Sequence, residues 1–129
     1  MTTRRASCSC GQLQLVCEGE PVRTSMCHCL ECQRRTGAVL SNQARFSRKQ
    51  ISVEGRSTRY ARVADSGNTV AFQFCPVCGS TVYWELDALP DVIAVAVHAC
   101  LLSSGAKSCD IGAIKRWGHD TREAQRFVA

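Results

Sequence analysis

Three cysteines within six residues constrain this chain more than any other feature of its sequence. Cys27, Cys29 and Cys32 lie in a segment that reads Cys-His-Cys-Leu-Glu-Cys. Cysteines this close together seldom form an unstrained disulfide with each other, so the spacing indicates one metal site. Thiolates favour soft or borderline metals, Zn²⁺ first among them, over Mg²⁺ or Ca²⁺. Zinc takes four ligands, so three cysteines leave either a further protein ligand to be found or an open position, which is what chemistry requires.

Four more cysteines occur as two close pairs, Cys8 with Cys10 and Cys75 with Cys78, each pair followed by glycine. Seven clustered cysteines divide into a closed site of four ligands and an open site of three. Spacing alone does not decide which pairs combine. A zinc ribbon that joined Cys29 and Cys32 to the later pair would need a separation far beyond the usual ~15–20 residues, and it would leave the other three cysteines unused.

Length and compartment favour metal over disulfides. The 129 residues, 45% of them hydrophobic, suit a single domain over 1–129 with its own core. The basic segment 1–6 lacks the apolar core of a signal peptide, and no later segment approaches the length of a membrane span. We therefore expect a cytoplasmic protein without a membrane partner, in which ten cysteines serve mainly to bind metal. The sequence assigns no oligomeric state.

The positive charge of the chain is smaller than it looks. Seven deprotonated thiols on two Zn²⁺ ions would lower the formal charge from +5 to about +2. The arginines and lysines are also scattered along the chain and do not form one tract. A non-catalytic two-zinc module that binds protein or nucleic acid would need a coherent basic or aromatic face, so we expect no nucleic-acid partner.

The pattern of apolar residues predicts a mainly β protein. Short alternating segments separated by Gly, Pro, Asn and Ser are typical of antiparallel strands. Strands are expected at 13–17, 22–26, 38–40, 44–46, 51–53, 58–60, 69–74, 81–86, 92–97 and 111–117. One short helix is expected over 30–36, directly after the central cysteines and ending at Gly37. The pair Cys75 and Cys78 would lie at the tip of the hairpin formed by 69–74 and 81–86. The tail after Gly118 is left unassigned.

Three segments together resemble a known family. S-C-x-C-G at 7–11, C-H-C-x-x-C-Q-R-R-T-G-A at 27–38 and F-C-x-x-C-G-S-x-V-Y at 74–83 occur in the order and spacing of the glutathione-dependent formaldehyde-activating enzymes. This S-(hydroxymethyl)glutathione synthase-like family also includes centromere protein V. The resemblance covers about residues 7–117, and the segment 98–103 departs from the family pattern.

The resemblance implies a fold, two zinc sites and a reaction. The fold would be a tent-like arrangement of small antiparallel sheets around zinc knuckles. Two Zn²⁺ would bind per chain, a structural one at Cys8, Cys10, Cys75 and Cys78. A catalytic one would bind at Cys27, Cys29 and Cys32. The activity would be that of a zinc-dependent carbon–sulfur lyase or synthase acting on a thiol such as glutathione and a small aldehyde such as formaldehyde.

Chemical reasoning from the residues supports a thiol substrate. Zn²⁺ with three thiolates carries a net charge of −1, so it is a poor activator of water and is better suited to binding and deprotonating a thiol. Arg34 and Arg35 follow the cluster within a turn or two of helix and could bind a carboxylate of that thiol.

Two alternatives stay open at this point. In the first, both zinc ions are structural and His98 or Cys100 supplies the fourth ligand to the central cluster. In the second, the chain resembles a methionine-sulfoxide reductase, which needs a reactive cysteine in the last third, and Cys100 or Cys109 would serve. Only His98 lies near enough in sequence to activate either thiol, however. The default interpretation of Cys17, Cys100 and Cys109 is that each is a small buried hydrophobic residue.

Overall fold

Alternating apolar residues build two antiparallel sheets in the computed structural model, which describes residues 3–96. The strands are β1 (Thr3–Ser7), β2 (Gln14–Glu18), β3 (Arg23–Cys27), β4 (Ser41–Ser47), β5 (Ile51–Glu54), β6 (Thr58–Val63), β7 (Thr69–Phe74), β8 (Thr81–Leu86) and β9 (Leu89–Ala96). One α-helix, α1 (Leu30–Thr36), follows β3, and a 3₁₀ turn (Arg48–Gln50) follows β4. The smaller sheet has the order β1-β2-β5 and the larger sheet has the order β3-β4-β9-β8-β7-β6.

The two sheets share one core. Leu13, Leu15 and Cys17 are fully buried at alternate positions, as the period-2 pattern predicts for a strand with one buried face. They belong to the same buried cluster as Phe46 and Val95 of the larger sheet. Cys17 is thus buried among apolar side chains, in line with the default interpretation of that residue.

The predicted fold class is confirmed: the chain is mainly β with antiparallel sheets, and the described residues contain one short α-helix. The helix spans the expected residues 30–36 and ends at Gly37, whose φ of 69° is the left-handed conformation that favours glycine at this position. The hairpin of β7 and β8 is also present, with antiparallel pairing from Val70↔Leu86 to Phe74↔Thr81.

Two local predictions were wrong. Residues 38–40 form a bend and not a strand, because the Thr36 hydroxyl accepts from the Ala38 N–H and lies 3.4 Å from the Leu40 carbonyl. Strand β1 was not predicted, since Ala6 is its single buried residue and it shows no apolar alternation. Backbone pairing with β2, from Thr3↔Glu18 to Ser7↔Gln14, supports this edge strand.

Several expectations lie outside the described residues. They concern the end of the last strand at Val97, the strand at 111–117, the tail after Gly118, and His98, Cys100 and Cys109. A single domain over 1–129 and a cytoplasmic location stay predictions. Within residues 3–96, no helix has the length and hydrophobicity needed to cross a bilayer.

Candidate metal centres and the adjoining cavity

The first cysteine cluster forms where two turns from different sheets meet. Cys8 and Cys10 lie in the turn between β1 and β2, and Cys75 and Cys78 lie in the turn between β7 and β8. The second turn is closed by a hydrogen bond of 2.9 Å from the Gly79 N–H to the Cys75 carbonyl. Because one turn belongs to the three-stranded sheet and the other to the six-stranded sheet, this cluster connects the two sheets.

The spacing of the four sulfur atoms fits a metal ion. All four lie within 4.8 Å of one another, with 3.6 Å between the sulfurs of Cys8 and Cys10 and 3.7 Å between those of Cys10 and Cys75. Zinc–sulfur bonds of about 2.3 Å in a tetrahedron place neighbouring sulfurs roughly 3.8 Å apart. The four cysteines could therefore hold a tetrahedral ion without rearrangement.

Hydrogen-bond donors surround this cluster and favour thiolates at Cys75 and Cys78. At Cys10 the backbone N–H of Gln12 lowers the pKa, but burial and the neighbouring cysteines outweigh it and raise the pKa to about 11. The Gln12 side-chain amide donates to Cys75 Sγ at 2.9 Å, and the Leu13 backbone N–H donates to Cys8 Sγ at 3.3 Å. Burial raises the pKa of Cys75, but the backbone N–H of Cys78 and the Gln12 amide lower that pKa by more. Hydrogen bonds from the Ser80 hydroxyl and backbone lower the pKa of Cys78 to about 5. Ligating sulfurs commonly have such hydrogen-bonding partners.

The second cluster is built from one short segment. Cys27 ends β3, Cys29 caps the N-terminus of α1, and Cys32 lies in the first turn of the helix. Their three sulfur atoms lie within 4.8 Å of one another, so this group could also hold a metal ion. The Cys32 backbone N–H donates to Cys29 Sγ at 3.4 Å, which is the first of the helix N–H groups that would stabilise a thiolate there. All three side chains are partly exposed.

The residues between and after these cysteines point elsewhere. The ring nitrogen Nδ1 of His28 lies 3.1 Å from the Val39 carbonyl oxygen, and His28 is not part of the cluster. The Gln33 amide donates to the His28 carbonyl at 2.8 Å and so fixes the loop that separates Cys27 from Cys29. The His28 ring is therefore hydrogen-bonded outside the group of three sulfurs.

The thiols of Cys27 and Cys32 do not ionise independently. A hydrogen bond from the Cys32 side chain lowers the pKa of Cys27 to about 5, although burial acts in the opposite direction. The same interaction with Cys27, together with burial, raises the pKa of Cys32 well above its usual range. One proton is therefore shared within the pair, and a cation is needed to hold both of these sulfurs as thiolates.

Arg34 and Arg35 have very different surroundings. Arg34 is exposed and pairs with Glu31 one helical turn earlier. Arg35 lies over the rings of Trp84 and Phe72, at 4.6 Å and 4.9 Å from their centroids. It also donates to Ser41 Oγ at 2.6 Å and lies beside the side chain of Cys32. Burial lowers the pKa of Arg35, and the neighbouring Cys32 partly offsets this effect.

The three-cysteine cluster lies on the wall of a cavity of about 570 Å³. Its other walls come from α1 and from β4, β6, β7 and β8, and they include Arg35, Gln43, Arg45, Arg62, Phe72 and Trp84. A second cavity of about 400 Å³ adjoins it and shares Arg35, Arg62 and Phe72. The cluster is therefore open toward a space large enough for a small organic ligand.

Sequence reasoning missed most of the cavity walls. Arg45 and Arg62 come from β4 and β6, which are distant in sequence from the cysteines. Arg45 stands between the buried residues Ala44 and Phe46, so it points away from the core, and this alternation was the one available signal. Both predicted arginines, Arg34 and Arg35, line the cavity. None of the eight cysteines within the described residues forms a disulfide.

Comparison with known proteins identifies the family. The sequence pattern of the family described as glutathione-dependent formaldehyde-activating enzyme matches residues 3–110. This match covers most of the chain, so the protein belongs to that family, as the resemblance predicted. The family name denotes an enzyme related to glutathione and formaldehyde. The two cysteine clusters add two places that could hold metal ions.

A solved structure shares the fold. A crystal structure of a Rhodobacter sphaeroides protein, a Northeast Structural Genomics target, is similar with a TM-score of 0.60 and 19% sequence identity. The similarity covers 85% of this chain and 94% of that chain. At this identity the likeness shows a common fold and no more. No curated protein is significantly similar to this chain in sequence.

Proposed function

We propose that this protein is a zinc-dependent carbon–sulfur lyase or synthase that joins a thiol such as glutathione to a small aldehyde such as formaldehyde. The observation that supports it best is the open cluster of Cys27, Cys29 and Cys32 on a cavity of about 570 Å³. Within residues 3–96, no fourth Cys, His, Asp or Glu joins these three as a ligand. A thiol in the cavity would complete the set of four.

The two clusters would divide the work between stability and chemistry. The cluster of Cys8, Cys10, Cys75 and Cys78 has four sulfurs and connects the two sheets, so it suits a closed structural zinc. The central cluster has three sulfurs and faces a cavity, so it suits a catalytic zinc with an open position. Two Zn²⁺ per chain follow from this division.

A zinc ion held by the central cysteines would supply a coordinated thiol with a lowered pKa and a nucleophilic sulfur at neutral pH. The Arg35 guanidinium lies beside Cys32 and so offsets part of the negative charge of the cluster. Phe72 and Trp84 hold Arg35 from the other side and give the cavity apolar walls that exclude water.

The reaction needs little else from the protein. The thiol loses its proton, the sulfur forms a bond to the carbonyl carbon of the aldehyde, and the carbonyl oxygen takes up a proton. The product is a hemithioacetal, S-hydroxymethylglutathione when the partners are glutathione and formaldehyde. Lysis is the reverse reaction. No oxidant or reductant is consumed, because the addition of a thiol to a carbonyl changes no net oxidation state.

Direct measurement of the product tests the proposal. Zinc-loaded protein mixed with glutathione and formaldehyde should form S-hydroxymethylglutathione faster than the uncatalysed mixture, as followed by NMR exchange. Cys29→Ser should abolish the acceleration, whereas Arg59→Gln should keep it, because Arg59 is exposed and lines neither cavity. No acceleration by fully loaded protein would refute the proposed activity.

Ligand binding tests the position of the thiol. Glutathione should bind with release of a proton, because the thiol must ionise to coordinate. S-methylglutathione keeps every charge but cannot become a thiolate, so it should bind about tenfold more weakly or worse. Calorimetry in buffers of different ionisation enthalpy measures both quantities. Equal affinities without proton release would show that the sulfur is not on the metal.

A further inference from the structure

We propose that the cavity beside the three cysteines selects a thiol that also carries a carboxylate, and that Arg45 and Arg62 supply the positive charge that attracts this carboxylate. The thiol part of this inference rests on the proposed function. The carboxylate part is argued from the charges and contacts of the cavity itself.

Arg45 is a half-buried cation without an anion among the described residues. It lines the cavity, and its Nε atom is buried with no hydrogen-bond partner. Its neighbour across the sheet is another arginine, Arg23, opposite it in the β3–β4 register. Burial lowers the pKa of Arg45, and the charge of Arg23 lowers it further. A buried cation beside a like charge is unfavourable, and a ligand carboxylate in the cavity would relieve both effects.

Arg62 presents a second cation to the same cavity. Its guanidinium carbon lies 5.7 Å from the centroid of Phe72, a ring that Arg35 also contacts at 4.9 Å. Two guanidinium groups on one ring repel each other, and an anion bound at Arg62 reduces that repulsion. No carboxylate within residues 3–96 forms an ion pair with Arg62.

The other arginines of the cavity are already engaged. Arg34 pairs with Glu31, and Arg35 donates to Ser41 and lies beside Cys32, although its own Nε atom is also buried without a partner. Four arginines line the cavity against two carboxylates, Glu31 and Asp65, and a zinc ion on the three thiolates would add a net charge of −1, so one positive charge remains in excess. A guanidinium binds a carboxylate through two parallel hydrogen bonds, which makes Arg45 and Arg62 suited to this group.

A matched pair of small thiols isolates the carboxylate. N-acetylcysteine and N-acetylcysteamine differ only in that the first carries a carboxylate. Calorimetry with zinc-loaded, full-length protein should show N-acetylcysteine binding about tenfold tighter. Arg45→Gln and Arg62→Gln should each reduce this preference to about threefold or less, while the affinity for N-acetylcysteamine stays within twofold.

Two further variants keep the test decisive. Arg59→Gln removes an exposed arginine from the same strand as Arg62 and should keep the full preference. Arg45→Lys retains the charge and should keep a preference between those of the wild type and Arg45→Gln. If Arg45→Gln does not fold, Arg62→Gln decides alone, because β6 is an edge strand with one neighbour. An unchanged preference in Arg62→Gln would overturn the assignment.

The S-methyl derivatives of both compounds separate this inference from the proposed function. They cannot form thiolates, so any preference between them reports the carboxylate alone. A preference that depends on Arg45 and Arg62, combined with no proton release by the free thiols, would refute the thiol coordination and leave the carboxylate site standing. Proton release with equal affinity for both thiols would refute the carboxylate site and leave the thiol coordination standing.

Discussion

The two cysteine clusters use the same ligand in opposite structural settings. The four-cysteine cluster joins sulfurs as far apart in sequence as Cys10 and Cys75, and it lies between two sheets. The three-cysteine cluster comes from one segment that ends β3 and begins α1. A cross-link over a long stretch of chain stabilises the fold, whereas a local cluster adds little to it. The first setting therefore favours stability and the second leaves an open position for chemistry.

The surroundings of the clusters reinforce this contrast. Cys8 and Cys75 are buried, and backbone and amide N–H groups point at their sulfurs. The sulfurs of the other cluster are partly exposed and share a cavity with four arginines. Hydrogen bonds and the burial of these two sulfurs fix the first cluster in place, although Cys10 and Cys78 are exposed, whereas the second cluster faces a cavity that can hold a ligand.

The largest expected effect is on stability, through loss of the four-cysteine site. Structural zinc contributes on the order of 10 kcal/mol to folding in small peptides. Cys78→Ser should therefore lower the midpoint of thermal unfolding by more than about 10 °C. Cys78 is exposed, so the substitution removes a ligand with little change in packing. Circular dichroism melts of zinc-loaded protein provide the measurement.

Cys29→Ser is the matched control for that experiment. It removes one ligand from the local cluster, so the unfolding midpoint should fall by only a few degrees. The helix cap is retained because serine is itself a good N-cap residue. A larger loss of stability in Cys29→Ser than in Cys78→Ser would mean that the roles of the two clusters are interchanged.

The next largest effect is expected on the number of zinc ions bound per chain, which should differ between the wild type and a variant of the three-cysteine cluster. Elemental analysis of protein purified under reducing, metal-replete conditions should give about two zinc ions per chain, and Cys29→Ser should give about one. A chelator should remove the ion of the three-cysteine cluster from the wild type much faster than the ion of the four-cysteine cluster, because the three-cysteine cluster is open to the cavity. A single ion in the wild type, with Cys27, Cys29 and Cys32 free to react with an alkylating reagent, would show that these three cysteines do not bind metal.

Two glycines, one near each cluster, should differ in how much an added Cβ atom destabilises the fold. Gly55 has φ +95°, and a Cβ there would lie 2.0 Å from the carbonyl oxygen of Gln12, whose amide donates to Cys75. Gly37, at the end of α1, has φ +69° with no atom within 4 Å of such a Cβ. Gly55→Ala should cost more than about 3 kcal/mol and Gly37→Ala about 1 kcal/mol in the free energy of unfolding. Urea titrations of the two variants test this order, and equal costs would contradict it.

Local signals account for what the sequence predicted well. The helix of 30–36 and the β7–β8 hairpin each depend on residues close together in the chain, such as Gly37 and the Cys75–Cys78 turn. The spacing of the cysteines indicated which residues bind metal, but only the family resemblance indicated that the pair Cys8 and Cys10 combines with the pair Cys75 and Cys78. Periodicity carries no information about contacts between distant segments.

Long-range contacts explain what the sequence did not reveal. Arg45 and Arg62 reach the cavity because β4 and β6 lie in the same sheet, separated by three other strands. The position of β1 follows from pairing with β2 and not from its own composition. Arg34 and Arg35 are adjacent and look equivalent in sequence, yet only Arg35 is packed on aromatic rings from β7 and β8.

The smallest expected effect concerns that pair of arginines. Arg34 is exposed, and Glu31 already neutralises its charge, so Arg34→Gln should change the free energy of unfolding by less than about 0.5 kcal/mol. For the same reason it should change the affinity for N-acetylcysteine less than about twofold. Arg35→Gln should weaken binding by about tenfold, because it removes the positive charge beside Cys32 and the contact with Trp84. Calorimetry on both variants makes the comparison, with thermal melts to confirm folding. A loss in Arg34→Gln as large as that in Arg62→Gln would move the carboxylate site from β4 and β6 to the surface of α1.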